Sequence, residues 1–290
     1  MKKLPLKIAF LLTVFFASSN LFAQDFQGKA YYISKTTMDL DQFGGQDMSA
    51  ERKKQFEERM KSFLEKEYTL TFTKSESIYK EEEKLAAPGG SGRRGGFGAS
   101  LTGGPKYKNV QTKEVIQDQE FFGKQFLVKD ELKDLEWKMG TETKLIGQYT
   151  CFKATATVVP SGVDFSSFRG SRGRNQNNEE KAKDSTDSNE PKAPKTIEVV
   201  AWYTPQIPVN QGPDDYWGLP GLILEINADR TTILCTKIVL NPKEKESIDK
   251  PKKGQEVTQA EYTDITTKKM EEMREMYGGR NGRGGGRGRN

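Results

Sequence analysis

The sequence predicts an α+β fold: a curved, mostly antiparallel β-sheet, either an open half-barrel or a sandwich-like meander, with two amphipathic helices, at least one of them packed on the sheet. Three observations predict it. Runs of β-branched and aromatic residues recur at strand length, several with alternating apolar and polar positions. The connections between them are mostly short and polar, which suits hairpins better than parallel crossovers. Only two stretches carry a helical apolar period.

The chain of 290 residues opens as an export signal, residues 1–23. Lys2, Lys3 and Lys7 form a basic start, and the apolar run from Ile8 to Phe16 gives way to small and polar residues before Ala23. Cleavage is expected after Ala23, with Ser19 as the alternative because Leu21 is large for the −3 position. No cysteine follows the run, so no lipid anchor is expected there. No later run reaches the ~18–20 apolar residues of a spanning helix. The expected product is exported, periplasmic or associated with the outer membrane, with no transmembrane segment in the mature chain.

Residues 24–277 read as one domain with two insertions, 87–104 (rich in Gly and Arg) and 161–195 (Ser, Asn, Lys, Glu), followed by a Gly/Arg-rich tail, 278–290. These segments offer too little apolar surface to offset the entropy of ordering them, so they are expected to be disordered. What is left, roughly 200 residues, is enough for one core.

The strands are expected at 29–37 (KAYYISKTT), 68–74 (YTLTFTK), 77–82, 121–129 (FFGKQFLVK), 147–159, 196–204 (TIEVVAWYT), 222–228 and 231–240 (TTILCTKIVL). The first helix, 50–66, is capped by Ser49 and carries Phe56, Met60, Phe63 and Leu64 on one face. The second opens on the capping box Thr258–Gln259–Ala260–Glu261 and sets Tyr262, Ile265, Met273 and Met276 along one stripe, with Gly278 as its stop.

The most unusual stretch is GPDDYWGLPGLILEI, residues 212–226. Leu219–Pro220–Gly221–Leu222 suits a type II turn, with positive φ at Gly221, feeding a strand from Leu222. Pro205, Pro208 and Pro213 stiffen the approach. Trp202 and Tyr203 occupy adjacent strand positions and so point to opposite faces. Two readings follow for Tyr216, Trp217, Gly218, Leu219, Pro220, Gly221 and Leu222: a staple holding the loop to the core, or an exposed, stiffened apolar knuckle that binds a partner at low entropic cost.

Here the sequence resembles a family. WGLPGLILEI resembles the signature of the GLPGLI family of exported proteins found widely in the Bacteroidetes, LIGQYTCFKATA (145–156) resembles its glycine–tyrosine–x–cysteine–x–lysine–alanine strand, and AWYTPQIPVNQGPDDYWGLPGLILEI (201–226) its tryptophan–tyrosine, isoleucine–proline and glycine–proline series. EVTQAEYTDI, at the last helix, is also similar. The resemblance implies an envelope protein beside outer-membrane uptake or secretion machinery, and implies no reaction, catalytic residue or cofactor.

The chemistry on offer is narrow. There is no histidine, which removes His-dependent triads and His-ligated metals. Asp214 and Asp215 suggest acid/base groups or calcium ligands, against the plainer reading of a solvated turn. Met270, Met273 and Met276 suggest Cu(I), against packing of a helix on a sheet. The only cysteines, Cys151 and Cys235, form one bridge or stay as two buried thiols; Cys235 is not among the positions that match the family. Arg93, Arg94, Lys106 and Lys108 in the first glycine-rich block, and the arginines of the other segments, follow an export signal. They point to solvated linkers, anionic lipid headgroups or an acidic partner, and not to nucleic acid.

These observations lead to a non-catalytic accessory protein with no cofactor and no metal. It is expected to bind an envelope or outer-membrane protein through the concave face of the sheet or the 216–222 knuckle. The alternative is a carrier or chaperone for an apolar ligand, a lipid or lipoprotein, in a hollow of the sheet. An enzyme using carboxylates near Asp214, Asp215 and Glu225 is the remotest reading.

Overall fold

The computed structural model describes residues 26–37, 49–82, 103–159 and 196–278. Residues 1–25 with the export signal, 38–48, 83–102 with most of the first insertion, 160–195 with the second, and the tail beyond Gly278 lie outside the described residues. The elements in order are β1 (Gly28–Thr36), α1 (Ala50–Leu64), β2 (Glu65–Phe72), β3 (Glu76–Glu81), β4 (Lys106–Asn109), β5 (Glu114–Phe121), β6 (Lys124–Glu131), β7 (Lys138–Ile146), β8 (Tyr149–Val158), β9 (Ile197–Thr204), β10 (Leu222–Ala228), β11 (Thr231–Leu240), β12 (Gln255–Val257) and α2 (Gln259–Gly278). The strands form one sheet in the order β12-β6-β5-β4-β3-β2-β1-β11-β10-β9-β8-β7. Every pairing is antiparallel except β12 with β6. The sheet is curved and open, as the α+β prediction requires.

Four strands were not foreseen, and each escapes for a physical reason. β7 is an edge whose residues are nearly all exposed, so polar side chains suffice there. β4 reads KYKN, and its lysines look like surface charge, yet Lys106 and Lys108 are buried. β5 reads EVIQDQEF, too mixed to show its period, and β12 is only three residues long. The predicted strand 121–129 spans a hairpin turn, with Phe121 the last residue of β5 and Lys124 the first of β6. Phe122 and Gly123 both take positive φ, +50 and +74, which is the primed turn that matches the twist of a two-residue hairpin. The first insertion also ends earlier than expected, since the Gly104 N–H donates to Asp118 O at 2.7 Å.

α1 stops at Leu64 because Glu65 and Lys66 already pair with Lys35 and Ser34 of β1. Phe56, Met60 and Leu64 are half-buried, and the side chain of Phe63 lies outside the description. α2 is the helix that packs on the sheet. Its capping box forms, with Thr258 N–H donating to Glu261 Oε2 at 2.8 Å and Glu261 N–H to Thr258 Oγ1 at 3.2 Å. Tyr262 meets Phe126 and Phe121 edge-on, with ring centroids 5.5 and 6.4 Å apart. The buried stripe is Tyr262, Ile265, Thr266 and Met270; it does not run on to Met276, which is two-thirds exposed.

The main core joins β1–β3 to β8–β11. Connection 205–221, between β9 and β10, is part of it. Thr204 and Leu222 are cross-strand partners, so the chain leaves and re-enters the sheet at one point and closes a compact loop. Ile207, Val209, Leu219 and Leu222 are essentially inaccessible to solvent.

Candidate functional site

Connection 205–221 folds over the sheet as a strap, and its own backbone holds it. Leu222 N–H donates to Ile207 O, Ile223 N–H to Gln211 O and Gly218 N–H to Asn210 O, all at 3.0–3.1 Å. The turn at Pro220 is not type II. Gly221 N–H donates to Leu219 O at 2.8 Å, a three-residue turn around Pro220, and positive φ belongs to Gly218 (+92) instead. Gly221 is required for closeness: a Cβ there would lie 2.2 Å from Thr204 O and 2.5 Å from Thr204 C. Trp217 is 6% exposed and donates its indole N–H to Lys133 O at 3.0 Å, while Trp137 returns the same bond to Trp217 O at 2.8 Å. The exposed knuckle is therefore not formed. Trp217, Leu219 and Leu222 staple the strap to the core, and Pro220 alone of that turn faces solvent.

Trp202 and Tyr203 do point to opposite sides. Trp202 is half-buried beneath Lys144, whose ammonium lies 4.3 Å from the ring and pairs with Glu225 at 2.7 Å. Tyr203 is buried and packs near Phe152. Neither joins Asp214 and Asp215 in the hollow described below.

The far end of the strap reaches β3 and β4. Ser77 Oγ donates to Gln211 Oε1 at 2.8 Å. Lys106 Nζ donates to Asp214 Oδ1 at 2.6 Å and Asp215 Oδ1 at 2.7 Å. Lys108, with no exposed surface, donates to Gly212 O at 2.7 Å and Tyr216 O at 3.3 Å. An ammonium thus lies between the two carboxylates, whose side chains stay 43% and 46% exposed. Burial works against the Lys106 ammonium, but the two carboxylates outweigh it and hold its pKa above the usual lysine range. For Lys108 burial wins, and its pKa falls to about 7 despite Asp215 and Asp214 nearby.

Strap, sheet and α2 border an open hollow of about 630 Å³. One wall is aromatic. Tyr68 and Tyr79 stack with centroids 4.6 Å apart and planes 10° apart, and Tyr216 of the strap lines the same space. Burial first, and then Asp214, pushes the phenols of Tyr79 and Tyr216 above their usual range, so both stay protonated; for Tyr68 burial and then Glu81 do the same. The Tyr79 hydroxyl is buried without a hydrogen-bond partner. The lining also takes in Phe121 and Val128 of the sheet and Tyr262 and Thr266 of α2. Of the residues predicted as a site, Asp214, Asp215 and Tyr216 reach this hollow. Tyr68, Tyr79 and Lys106 were missed, because nothing in a strand run marks which face will turn inward.

Cys151 and Cys235 are free, buried thiols rather than a bridge. They sit on β8 and β11, with β9 and β10 between them in the sheet. Burial pushes their pKa values up to about 11 and about 12. Met270, Met273 and Met276 diverge from packed, through half-buried, to exposed. No helix among the described residues is long and apolar enough to cross a membrane.

Residues 137–225 match a family described as "Protein of unknown function (Porph_ging)". The match runs from Trp137 through the whole strap into β10, over the segment that carries the GLPGLI-like motif. No curated protein matches. Among solved structures, the chain resembles "Structure of PNGF-II in C2 space group" at 14% identity and a TM-score of 0.46, covering 83% of this chain and 32% of that one. It resembles "Structure of PNGF-II in P21 space group" at 14% and 0.43, covering 84% and 32%. The chain spans about a third of the length of those proteins.

Proposed function

We propose that this is a non-catalytic binding protein of the cell envelope, a GLPGLI-type accessory that takes a segment of an envelope or outer-membrane protein into the hollow of its sheet. The observation that carries the reading is the cavity of about 630 Å³ walled by the Tyr68/Tyr79 stack, the strap and α2. Its volume lies within the ~300–1,000 Å³ typical of ligand sites, and its lining mixes tyrosine and aliphatic side chains with charged and amide ones. The basic and apolar start of the chain supports export. Binding is favoured over catalysis because the sequence has no histidine and the two aspartates beside the cavity are tied to Lys106.

A second reading, a carrier of a small apolar ligand, rests on the same hollow, since Val128, Leu132, Leu135, Ile197 and Ile233 also face it. One experiment separates the two. Affinity capture from cross-linked envelopes compares the full chain with Gln119→Trp, which places an indole in the cavity. A partner held by the first and lost by the second is the expected outcome. Lipid co-purifying in native mass spectrometry, displaced by Gln119→Trp, would favour the carrier. Equal capture by both chains, with no bound lipid, would refute the hollow as the site.

A further inference from the structure

β7 is the last strand of the sheet, and among the described residues β8 is its only pairing partner. Seven of its nine residues are exposed, so no described element covers it. The other end of the sheet is built differently: β12 is three residues long and runs straight into the capping box of α2. An uncovered edge of nine residues offers a row of unpaired backbone N–H and C=O groups to another strand. The hairpin shows which groups those are. Ile146 and Tyr149 are partners across a two-residue loop, with Gly147 at φ +59, so the turn hydrogen bond joins them. The Ile146 N–H also reaches the Cys151 thiol of β8. Counting back along the strand, Lys144 likewise turns its backbone groups to β8, while Leu145 and Thr143 turn theirs outward. Before Thr143 the register shifts and leaves residues 140–142 opposite Lys153, a bulge that bends the strand and keeps any added pairing short.

The side chains select what can pair there. Two ion pairs run to this edge, Glu225 with Lys144 and Lys153 with Glu142, both at 2.7 Å, and their β7 members are 34% and 64% exposed. One row therefore ends in a cation and the other in an anion, two residues apart. A second β7, laid antiparallel about a twofold axis through Thr143, sets Lys144 opposite Glu142 of the second copy and Glu142 opposite its Lys144. The charges Glu225, Lys144, Glu142 and Lys153 then alternate across the two copies. The same axis brings the outward groups of the two Thr143 residues together and sets Leu145, 71% exposed, opposite Thr141. The neighbouring axes, through Glu142 or Lys144, set like charges against each other.

We propose that β7 is a homodimer edge: a second copy of this chain adds its own β7, antiparallel and centred on Thr143, so that one sheet runs through both copies. Backbone hydrogen bonds supply the affinity, and the exposed charges, individually worth little, supply the register. The contact is isologous and uses up both β7 edges, so the assembly stops at two. A short stretch of strand buries less than a standard interface, which makes this a weak dimer. The inference is independent of the hollow.

Analytical ultracentrifugation of the full chain tests it. The weight-average mass should rise from one chain toward two between about 5 and about 500 µM, the range of a small interface, and stop there. Thr143→Pro removes an outward N–H that no strand of its own chain uses, and should hold the chain monomeric over that range. Glu142→Lys sets lysine against Lys144 of the second copy and should weaken dimerisation several-fold. Lys144→Glu does the same with the sign reversed, and an equimolar mixture of these two variants should dimerise again, because each lysine then meets a glutamate. Lys144→Glu also faces Glu225 in its own chain; if it does not fold, Thr143→Pro and Glu142→Lys, both at exposed positions, decide the matter. A chain monomeric throughout, a dimer untouched by Thr143→Pro or by Glu142→Lys, a mixture of two folded charge variants that stays monomeric, or growth past two copies overturns the proposal.

Discussion

The sharpest prediction concerns Lys108, a lysine with no exposed surface whose ammonium bonds two carbonyls of the strap. Its pKa is about 7 in the fold against an ordinary value of 10.5. Below pH 7 both the folded and unfolded chains carry the charge, and the cost of burying it is fully present. As pH rises above 7 the folded chain releases the proton while the unfolded chain keeps it, so the unfolded state binds more protons and stability rises with pH. Integrated from pH 6 to pH 8 the gain is about 1.4 kcal/mol, roughly tenfold in the unfolding constant. No histidine titrates in this window, and the raised pKa of Lys106 acts only above 10.5. Beyond pH 8 the thiols oppose the trend, since they ionise near 9 when unfolded and are pushed up to about 11 and about 12 in the fold. Urea unfolding at pH 6 and pH 8, followed by tryptophan emission, measures the slope. Lys108→Met should abolish it. That variant also strips a donor from Gly212 O and Tyr216 O and will be less stable throughout, so the slope and not the height is the readout. A wild-type chain equally stable at both pH values, or a Lys108→Met chain with an unchanged slope, would refute the reasoning.

Three further outcomes are expected. Gly221→Val drives a Cβ to 2.2 Å from Thr204 O and should cost about 3 kcal/mol or more, because backbone and not a side chain tip must yield; urea midpoints check it. Trp217→Ala empties a buried indole site and orphans Lys133 O, so a loss of roughly 3–5 kcal/mol is expected in the same assay, whereas an unchanged midpoint would return Trp217 to the role of a surface contact. Cys151 and Cys235 should alkylate slowly at pH 7.5 in the native chain and rapidly in urea without reductant; fewer than two reactive thiols in urea would show a bridge.

The sequence by itself determined what depends on neighbours along the chain. Alternating runs such as TIEVVAWYT and TTILCTKIVL become β9 and β11, because a period of two forces side chains to opposite faces whatever lies across the sheet. Thr258 and Glu261 cap α2 because the box closes within four residues. The strap was legible as an ordered corner from its prolines and glycines, although its turn type was not: the need for Gly221 comes from Thr204, on the strand across from it. Tertiary structure decided the hollow. Lys106 lies 108 positions from Asp214, and that separation hides the pairing that turns a basic surface pattern into a buried strand. Likewise Tyr68, Tyr79, Tyr216 and Glu131 come from four separate elements, and only the curvature of the sheet and the strap laid across it bring them to one cavity. Local periodicity is a property of the backbone and can be read residue by residue; a cavity is a property of how distant faces close, and carries no mark in any one of them.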